Sequence, residues 1–209
     1  MIAARGGRLA GAAACLLAGV ARAQGGGLDS AVYVLQDSSR FEVKTGKAGL
    51  FGFAGHEHLI RARTFSGRVV YRPDRVSDSR IEITVPADSL EVLTPPDTAE
   101  IRKVTQAMRT DVLHTDQYPA IAFVGTGVTA IEGGFRVAGR LTLAGATREV
   151  MTDVQVRIGA DTLRATGGFE VKQTDYGIRP FRGGPGGTVR VADRVRITFA
   201  VVALREGGP

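Results

Sequence analysis

The sequence predicts an all-β protein: an antiparallel lipocalin-like β-barrel of about eight strands, with one amphipathic helix near a barrel end. Three observations predict this fold, namely serial segments of alternating apolar and polar residues, turn residues between them, and a single stretch with helical periodicity. Alternation with a period of two is typical of strands with one buried and one solvated face. Serial antiparallel strands close into a barrel or stack as a sandwich, because both arrangements hide strand edges.

The alternation is clearest in the C-terminal half of the chain. Four segments there carry apolar residues or glycine on one face, and they span residues 135–143, 150–158, 163–171 and 195–201. Earlier segments with strand character lie at 33–36, 40–45, 65–72 and 80–85. The predicted inward rows mix large residues with small ones such as Gly139, Ala165, Gly167 and Ala203. Small inward residues fit both a ligand space and a tapering packed core, so the sequence leaves both interiors open.

One segment departs from the strand pattern. Residues 98–113 carry Ile101, Val104, Met108 and Val112 at helical spacing, and Asp97 with Glu100 resembles a capping box. A single apolar stripe predicts a helix that lies against the barrel near one mouth. The pattern does not distinguish a packing helix from a lid.

The N-terminus has the organisation of a cleaved secretory signal peptide over residues 1–23, with basic residues, an apolar stretch and a small-residue cleavage pattern before Gln24. Residues 24–30 form a glycine-rich lead-in, and residues 31–205 form the predicted barrel domain. This organisation predicts a secreted, periplasmic protein without stable membrane insertion. Removal of residues 1–23 takes away three arginines and the only cysteine, so 24 basic and 21 acidic residues remain, a net charge of +3. That small excess gives little support for nucleic-acid binding.

The sequence carries few features of a catalytic site. There is no phosphate-binding loop, no Gly-x-Ser-x-Gly motif and no spacing that indicates an acyl-transfer triad, so the chain is predicted not to be an enzyme. His56 and His58 are weak candidates for metal ligands, since an extended segment would place both rings on one side. A metal-binding protein or metal-dependent enzyme that uses these two histidines is therefore the alternative hypothesis.

Several segments together resemble the YceI-like family. They are residues 108–113 with 118–123, the run 137–143 with Gly145, the turn 175–178 and the run 191–197, and residues 39–43 and 65–67 also agree. The order and spacing of these pieces are specific although no single motif is diagnostic, and the resemblance covers roughly residues 31–204. It implies a periplasmic lipocalin-like barrel that holds a polyisoprenoid chain in an apolar tunnel.

The resulting prediction is a periplasmic binding protein that holds a long apolar isoprenoid lipid or quinone in its cavity, for carriage or sequestration. No other cofactor is predicted, and a homodimer is left open. The residues expected to line the cavity occupy the apolar phase of their strands or the helix stripe. They are Phe65, Val69, Ile83, Ile101, Val104, Met108, Phe123, Leu141, Leu143, Phe169, Val171, Ile197 and Phe199.

Overall fold

The computed structural model describes residues 30–47, 57–94, 98–183 and 189–207. The predicted signal peptide and nearly all of the lead-in lie outside these ranges, as do His56, Asp97 and most of the glycine-rich stretch 183–187. Within the described ranges, no helix is long and apolar enough to cross a membrane.

The described residues form twelve strands, one α-helix and short helical turns. The strands are β1 (Ala31–Leu35), β2 (Arg40–Lys47), β3 (Leu59–Ala62), β4 (Ser66–Tyr71), β5 (Arg80–Pro86), β6 (Leu90–Val92), β7 (Ala120–Ile131), β8 (Gly134–Leu143), β9 (Ala146–Ile158), β10 (Thr162–Lys172), β11 (Arg182–Gly183) and β12 (Val189–Arg205). Helix α1 (Thr98–Ala107) continues as a π-helical segment (Met108–Val112). Three 3-10 turns span Pro73–Asp78, Ala87–Ser89 and Gln173–Tyr176.

Eight of the strands close into an antiparallel barrel in the order β1-β4-β5-β7-β8-β9-β10-β12. Closure is made by β12, which pairs back onto β1 at Tyr33↔Arg205, Val34↔Leu204 and Leu35↔Ala203. A closed barrel has no free edges along its circumference, which explains why a chain of serial amphipathic strands adopts it. The predicted fold class is confirmed.

The barrel wall forks at one end, here called the upper end. Strand β12 pairs with β1 near its C-terminus and with β2 from Ala200 back to Val191, and β2 continues the sheet through β3 to β6. On the other side of the fork, β5 pairs with β7 as far as Pro86↔Ala120. Strands β6 and β7 therefore diverge, and α1 packs against β6. The opposite, lower end carries the β7–β8 and β9–β10 hairpins.

Helix α1 is attached to the edge of β6 through two side chains that stand four residues apart. The Oγ1 atom of Thr105 accepts a hydrogen bond from the backbone N–H of Val92 at 3.2 Å. The Nε and Nη2 atoms of Arg109 donate to the carbonyl oxygen of Leu90 at 3.2 and 2.9 Å. These contacts satisfy backbone groups that an open strand edge would leave unpaired. They also set the rotation of the helix about its axis, and they explain why the helix runs antiparallel to β6.

The interior contains two apolar clusters stacked along the barrel axis. The upper cluster includes Val92, Met108, Leu113, Tyr176 and Ile178. The lower cluster is centred on β1, β9, β10 and the C-terminal half of β12, and its most buried members are Tyr33, Leu163 and Ala203. Phe41 and Phe65 contact both clusters. The space between and beside these clusters is where the candidate site lies.

Candidate functional site: an apolar cavity along the barrel axis

A cavity of about 790 Å³ runs through the interior of the barrel. Side chains from all eight barrel strands, from β2, β3 and β6, and from α1 line it, and most of them are aliphatic or aromatic. Close-packed protein interiors leave few voids larger than a water molecule. The volume instead falls within the range of about 300–1,000 Å³ that is typical of small-molecule sites.

The cavity is elongated along the barrel. Val191 and Val201, ten residues apart on β12, both line it. At about 3.3 Å per residue this separation is roughly 33 Å along the strand, and a strand tilt of about 40° reduces it to roughly 25 Å along the axis. Such a shape suits a slender chain better than a compact ring system.

The structure brings ten of the thirteen predicted lining residues to the cavity wall. These ten are Val69, Ile83, Val104, Met108, Phe123, Leu141, Leu143, Phe169, Ile197 and Phe199. Their common feature is the inward phase of a strand or the inner face of α1. That they contact a ligand stays a prediction.

The other three predicted residues are placed elsewhere among the described residues. Phe65 lies at the corner between β3 and β4, where its ring packs edge to face on Phe41 with centroids 5.0 Å apart. Val171, near the end of β10, is buried within the upper cluster. Ile101 is half-buried on the helix face that also carries Thr105, four residues later, and this face is turned toward β6. The attachment of α1 to β6 therefore rotates the predicted stripe, and Glu100, Lys103 and Ala107 join the wall in place of Ile101.

Two inward glycines lie beneath phenylalanine rings. A Cβ atom built on Gly139 would stand 2.3 Å from Cζ of Phe123, and one built on Gly167 would stand 2.5 Å from Cζ of Phe199. Both rings therefore lie across the wall, over the space that a side chain at the glycine would fill. Because the rings occupy that space, the centre of the barrel stays open. The two glycines thus widen the cavity, because they leave room for the phenylalanine rings to lie against the wall.

The lower end of the cavity is apolar and carries an aromatic pair. The rings of Tyr71 and Phe135 meet edge to face with centroids 6.3 Å apart, and both line the cavity. Ser79 also reaches the wall, and its hydroxyl accepts a hydrogen bond from the backbone N–H of Arg72 at 3.1 Å.

The upper end is polar. His58 and Thr45 reach the wall there, and the backbone N–H of His58 donates to Oγ1 of Thr45 at 3.0 Å. Nδ1 of His58 lies 2.7 Å from the carbonyl oxygen of Thr94. Since a carbonyl only accepts, Nδ1 carries a proton in this contact and is not available as a metal ligand. The described part of the chain holds no group of three or more His, Cys, Asp or Glu residues that could bind a metal ion, and His56 lies outside it.

Two cationic side chains also line the cavity. Lys103 on α1 and Arg190 on β12 belong to the wall, together with Glu100 and the half-exposed ring of Phe181. No pattern in the sequence marks this group. Its members come from α1, β12 and the residue before β11, and no local pattern brings these three elements together.

The turn that follows β10 is held against β12 at the same end. Asp193, within a bulge of β12, accepts hydrogen bonds from the backbone N–H of Thr174 at 2.9 Å and from its Oγ1 at 2.8 Å. These hydrogen bonds, chiefly the one from the backbone of Thr174, lower the pKa of Asp193. Gln173, a wall residue, donates from Nε2 to the carbonyl oxygen of Ala192 at 2.8 Å. Through these hydrogen bonds the bulge in β12 holds Gln173 in its place on the upper wall of the cavity.

Tyr176 ends this turn and is 3% exposed. Its hydroxyl makes no hydrogen bond within the described part of the chain. Burial, with a smaller contribution from the charge of Asp175, raises the pKa of the phenol. Because the neutral form is favoured, Tyr176 acts here as an apolar ring of the upper cluster.

A closed eight-stranded antiparallel barrel around a large apolar cavity defines the class of lipocalin-like binding proteins. The model of the YceI-like domain matches residues 35–203, and the chain belongs to this family. A search of curated proteins finds no match.

Solved structures with the same fold include BcnA of Burkholderia cenocepacia, at 20% sequence identity and a TM-score of 0.62, covering 78% of this chain and 95% of that one. A polyisoprenoid-binding domain from Saccharophagus degradans, described as implicated in plant cell wall breakdown, is 15% identical with a TM-score of 0.59 over 83% of this chain and 98% of that one. The YceI protein of Campylobacter jejuni is 15% identical with a TM-score of 0.54, covering 70% of this chain and 84% of that one. At these identities the likeness concerns the fold.

Proposed function

We propose that this protein is a periplasmic binding protein that holds a long apolar isoprenoid lipid or quinone in its barrel cavity, for carriage or sequestration. The observation that carries the proposal is the elongated, largely apolar cavity of about 790 Å³. The polyisoprenoid-binding domain of Saccharophagus degradans, which has the same fold, supports the choice of ligand class.

Burial of the ligand supplies enough free energy without a dedicated set of polar contacts. At about 0.8 kcal/mol per buried CH2, ten methylene equivalents contribute about 8 kcal/mol before the cost of ordering the chain. A net value of this size corresponds to binding in the micromolar range. A longer isoprenoid buries more methylene groups, and the additional free energy of burial offsets the cost of ordering its chain.

We infer that the protein acts by binding and not by catalysis. Its cavity wall is dominated by aliphatic side chains and phenylalanine rings, which neither donate nor accept protons. His58, which lines the upper end, uses Nδ1 in a hydrogen bond to backbone. The family membership also supports a binding role.

The proposed location follows from the sequence of residues 1–23, which has the organisation of a signal peptide. Fractionation of the source cells, followed by intact-mass measurement, tests it. We expect the protein in the periplasmic fraction with a mass that corresponds to a chain beginning at Gln24. A full-length chain in the cytoplasm would contradict the proposal.

The ligand is tested by native mass spectrometry of protein purified from its own periplasm, followed by solvent extraction and identification of the released lipid. We expect an adduct with the fragmentation pattern of a prenyl chain. Delipidated protein should also take up a prenyl lipid when it is offered. A folded barrel that carries no lipid and takes up none would disprove the proposed function.

A further inference from the structure

Lys103 and Arg190 are cations on the wall of an otherwise mostly apolar cavity. Within the described ranges, neither side chain makes an ion pair or a side-chain hydrogen bond, whereas Glu42, another charged residue of the wall, is paired with Arg61 at 2.6 Å. An aliphatic chain gives such cations nothing to bind. Both side chains are exposed, so they are available to an anionic group on the bound molecule.

Both cations lie at the upper end of the cavity. Arg190 precedes Val191, which pairs with Lys47 at the end of β2, and Arg190 itself pairs with Arg182 of β11. Lys103 precedes Thr105, which is bonded to the last residue of β6, and α1 runs antiparallel to that strand. Lys103 consequently lies beyond the end of β6, at the level where Thr94 bonds to His58. At the opposite end, the described residues that line the cavity are uncharged, for example Tyr71, Phe135 and Ser79.

We propose that Lys103 and Arg190 form a subsite for an anionic head group, so that the preferred cargo is a prenyl lipid that ends in a phosphate or carboxylate. This inference rests on the proposed function and specifies its ligand. The apolar chain enters the barrel and the acidic head stays at the upper mouth, where a lysine and an arginine donate charge-assisted hydrogen bonds to its oxygens. Glu100 at the same mouth leaves a net positive charge among these three residues.

The distribution of charge also orients the cargo. A head group at the lower end would meet the Tyr71–Phe135 pair and lose its hydration without a cationic partner. At the upper end the side chains of Lys103 and Arg190 are exposed, so the head keeps part of its hydration while it binds. The lipid is therefore bound with its head at the mouth and its chain inside.

The test uses two ligands with the same chain, geranylgeranyl phosphate and geranylgeraniol, each titrated into delipidated protein that carries a fluorescent apolar probe in its cavity. The charge variant is K103Q/R190Q. The matched control is R157Q/R164Q, which removes two exposed arginines that face each other on the outer surface of β9 and β10 and have no ion-pair partner in the described ranges. Inorganic phosphate alone is titrated as a third ligand.

We expect wild-type protein and the control to bind the phosphate about tenfold more tightly than the alcohol, the size of effect that one or two charge-assisted contacts produce. The variant K103Q/R190Q should bind both ligands equally, with its affinity for the alcohol unchanged. Inorganic phosphate should not displace the probe.

Equal affinity of wild-type protein for the two ligands, or an undiminished preference in K103Q/R190Q, would overturn the head-group subsite and leave the proposed function standing. Displacement by inorganic phosphate at the same concentrations would also overturn it, since the anion would then bind without a chain. Failure of folded wild-type protein to bind either prenyl ligand would overturn the proposed function itself, and the subsite with it.

Discussion

The ring of Phe199 on β12 lies over Gly167 on β10, the residue directly opposite in the register of these two strands. A Cβ atom at position 167 would stand 2.5 Å from Cζ of Phe199 and 3.0 Å from the carbonyl oxygen of Asp153. The glycine thus provides the place in which the ring lies against the wall. The ring of Phe123 on β7 likewise lies over Gly139 on β8, although Phe123 pairs in register with Leu141 and Gly139 with Gly125.

G167A should displace the ring of Phe199 toward the cavity axis, because the ring is the part of the contact that can rotate. Overpacking of this kind costs about 1 to 3 kcal/mol, and part of it should be measured as weaker binding of a prenyl ligand. The control is G127A, since no atom lies within 4 Å of a Cβ built there. Titration of both variants with geranylgeraniol is the measurement. An affinity of G167A equal to that of G127A would show that the ring does not set the width of the cavity.

F169D should abolish lipid retention. Phe169 lines the cavity, and an aspartate there would remove apolar wall and place an unpaired carboxylate next to the chain of the ligand. E170Q is the matched control, because Glu170 is exposed and lies 3.5 Å from Arg194 on the outer surface. An exposed ion pair contributes only about 0 to 1 kcal/mol. Native mass spectrometry should find lipid on E170Q and none on folded F169D, and lipid on both would contradict the location of the site.

M108A should weaken lipid retention clearly, with only a small decrease in the free energy of unfolding. Met108 borders the cavity from the π-helical segment, so its truncation enlarges a space that is already open, and its stability cost should fall at the low end of the 2–5 kcal/mol typical of buried Met→Ala changes. I101A, on the face of α1 turned toward β6, provides the comparison. It should leave lipid affinity near that of wild type. Equal lipid affinity of M108A, I101A and wild type would indicate that the helix only packs against the barrel.

T105V should destabilise the fold by about 1 to 3 kcal/mol, the cost of leaving a buried donor unsatisfied. The substitution keeps the shape of the side chain but removes the acceptor for the backbone N–H of Val92. T110V is the control, since the hydroxyl of Thr110 is exposed and bonds within its own segment, to Gln106 and Asp111. Urea denaturation compares the two variants with wild type. Equal stability of T105V and T110V would mean that the contact between α1 and β6 contributes little.

D193N should lower stability at neutral pH and lose this effect in acid. The hydrogen bonds from Thr174 lower the pKa of folded Asp193 below the value of about 3.9 expected in the unfolded chain. Its contribution is therefore present above pH of about 4 and disappears as the pH falls through the folded pKa. The difference in unfolding free energy between wild type and D193N should shrink over that range. D161N, which removes an exposed carboxylate, controls for the loss of one negative charge. A constant difference for D193N would contradict the assignment.

Much of the fold could be predicted from the alternation of side chains. The inward positions of Leu141, Phe169 and Ile197 follow from the period of two alone, since a strand in a closed barrel has one face toward the interior. The helix was predicted from its spacing, but its rotation was not. The hydrogen bonds of Thr105 and Arg109 to β6 set that rotation, and they depend on a strand whose distance from the helix is not visible in a local pattern.

The sequence by itself determined the class of this protein: a family of antiparallel barrels, an apolar interior and ten of the residues on its wall. Only the tertiary structure decided that the interior is open, because packed and open barrels have the same alternation and differ in where side chains such as Phe199 lie relative to Gly167. It also decided that Lys103 and Arg190 both lie on the wall of the cavity. Residues on separate elements converge only when the barrel closes, and the register of its strands, not the order of the residues, sets which side chains become neighbours.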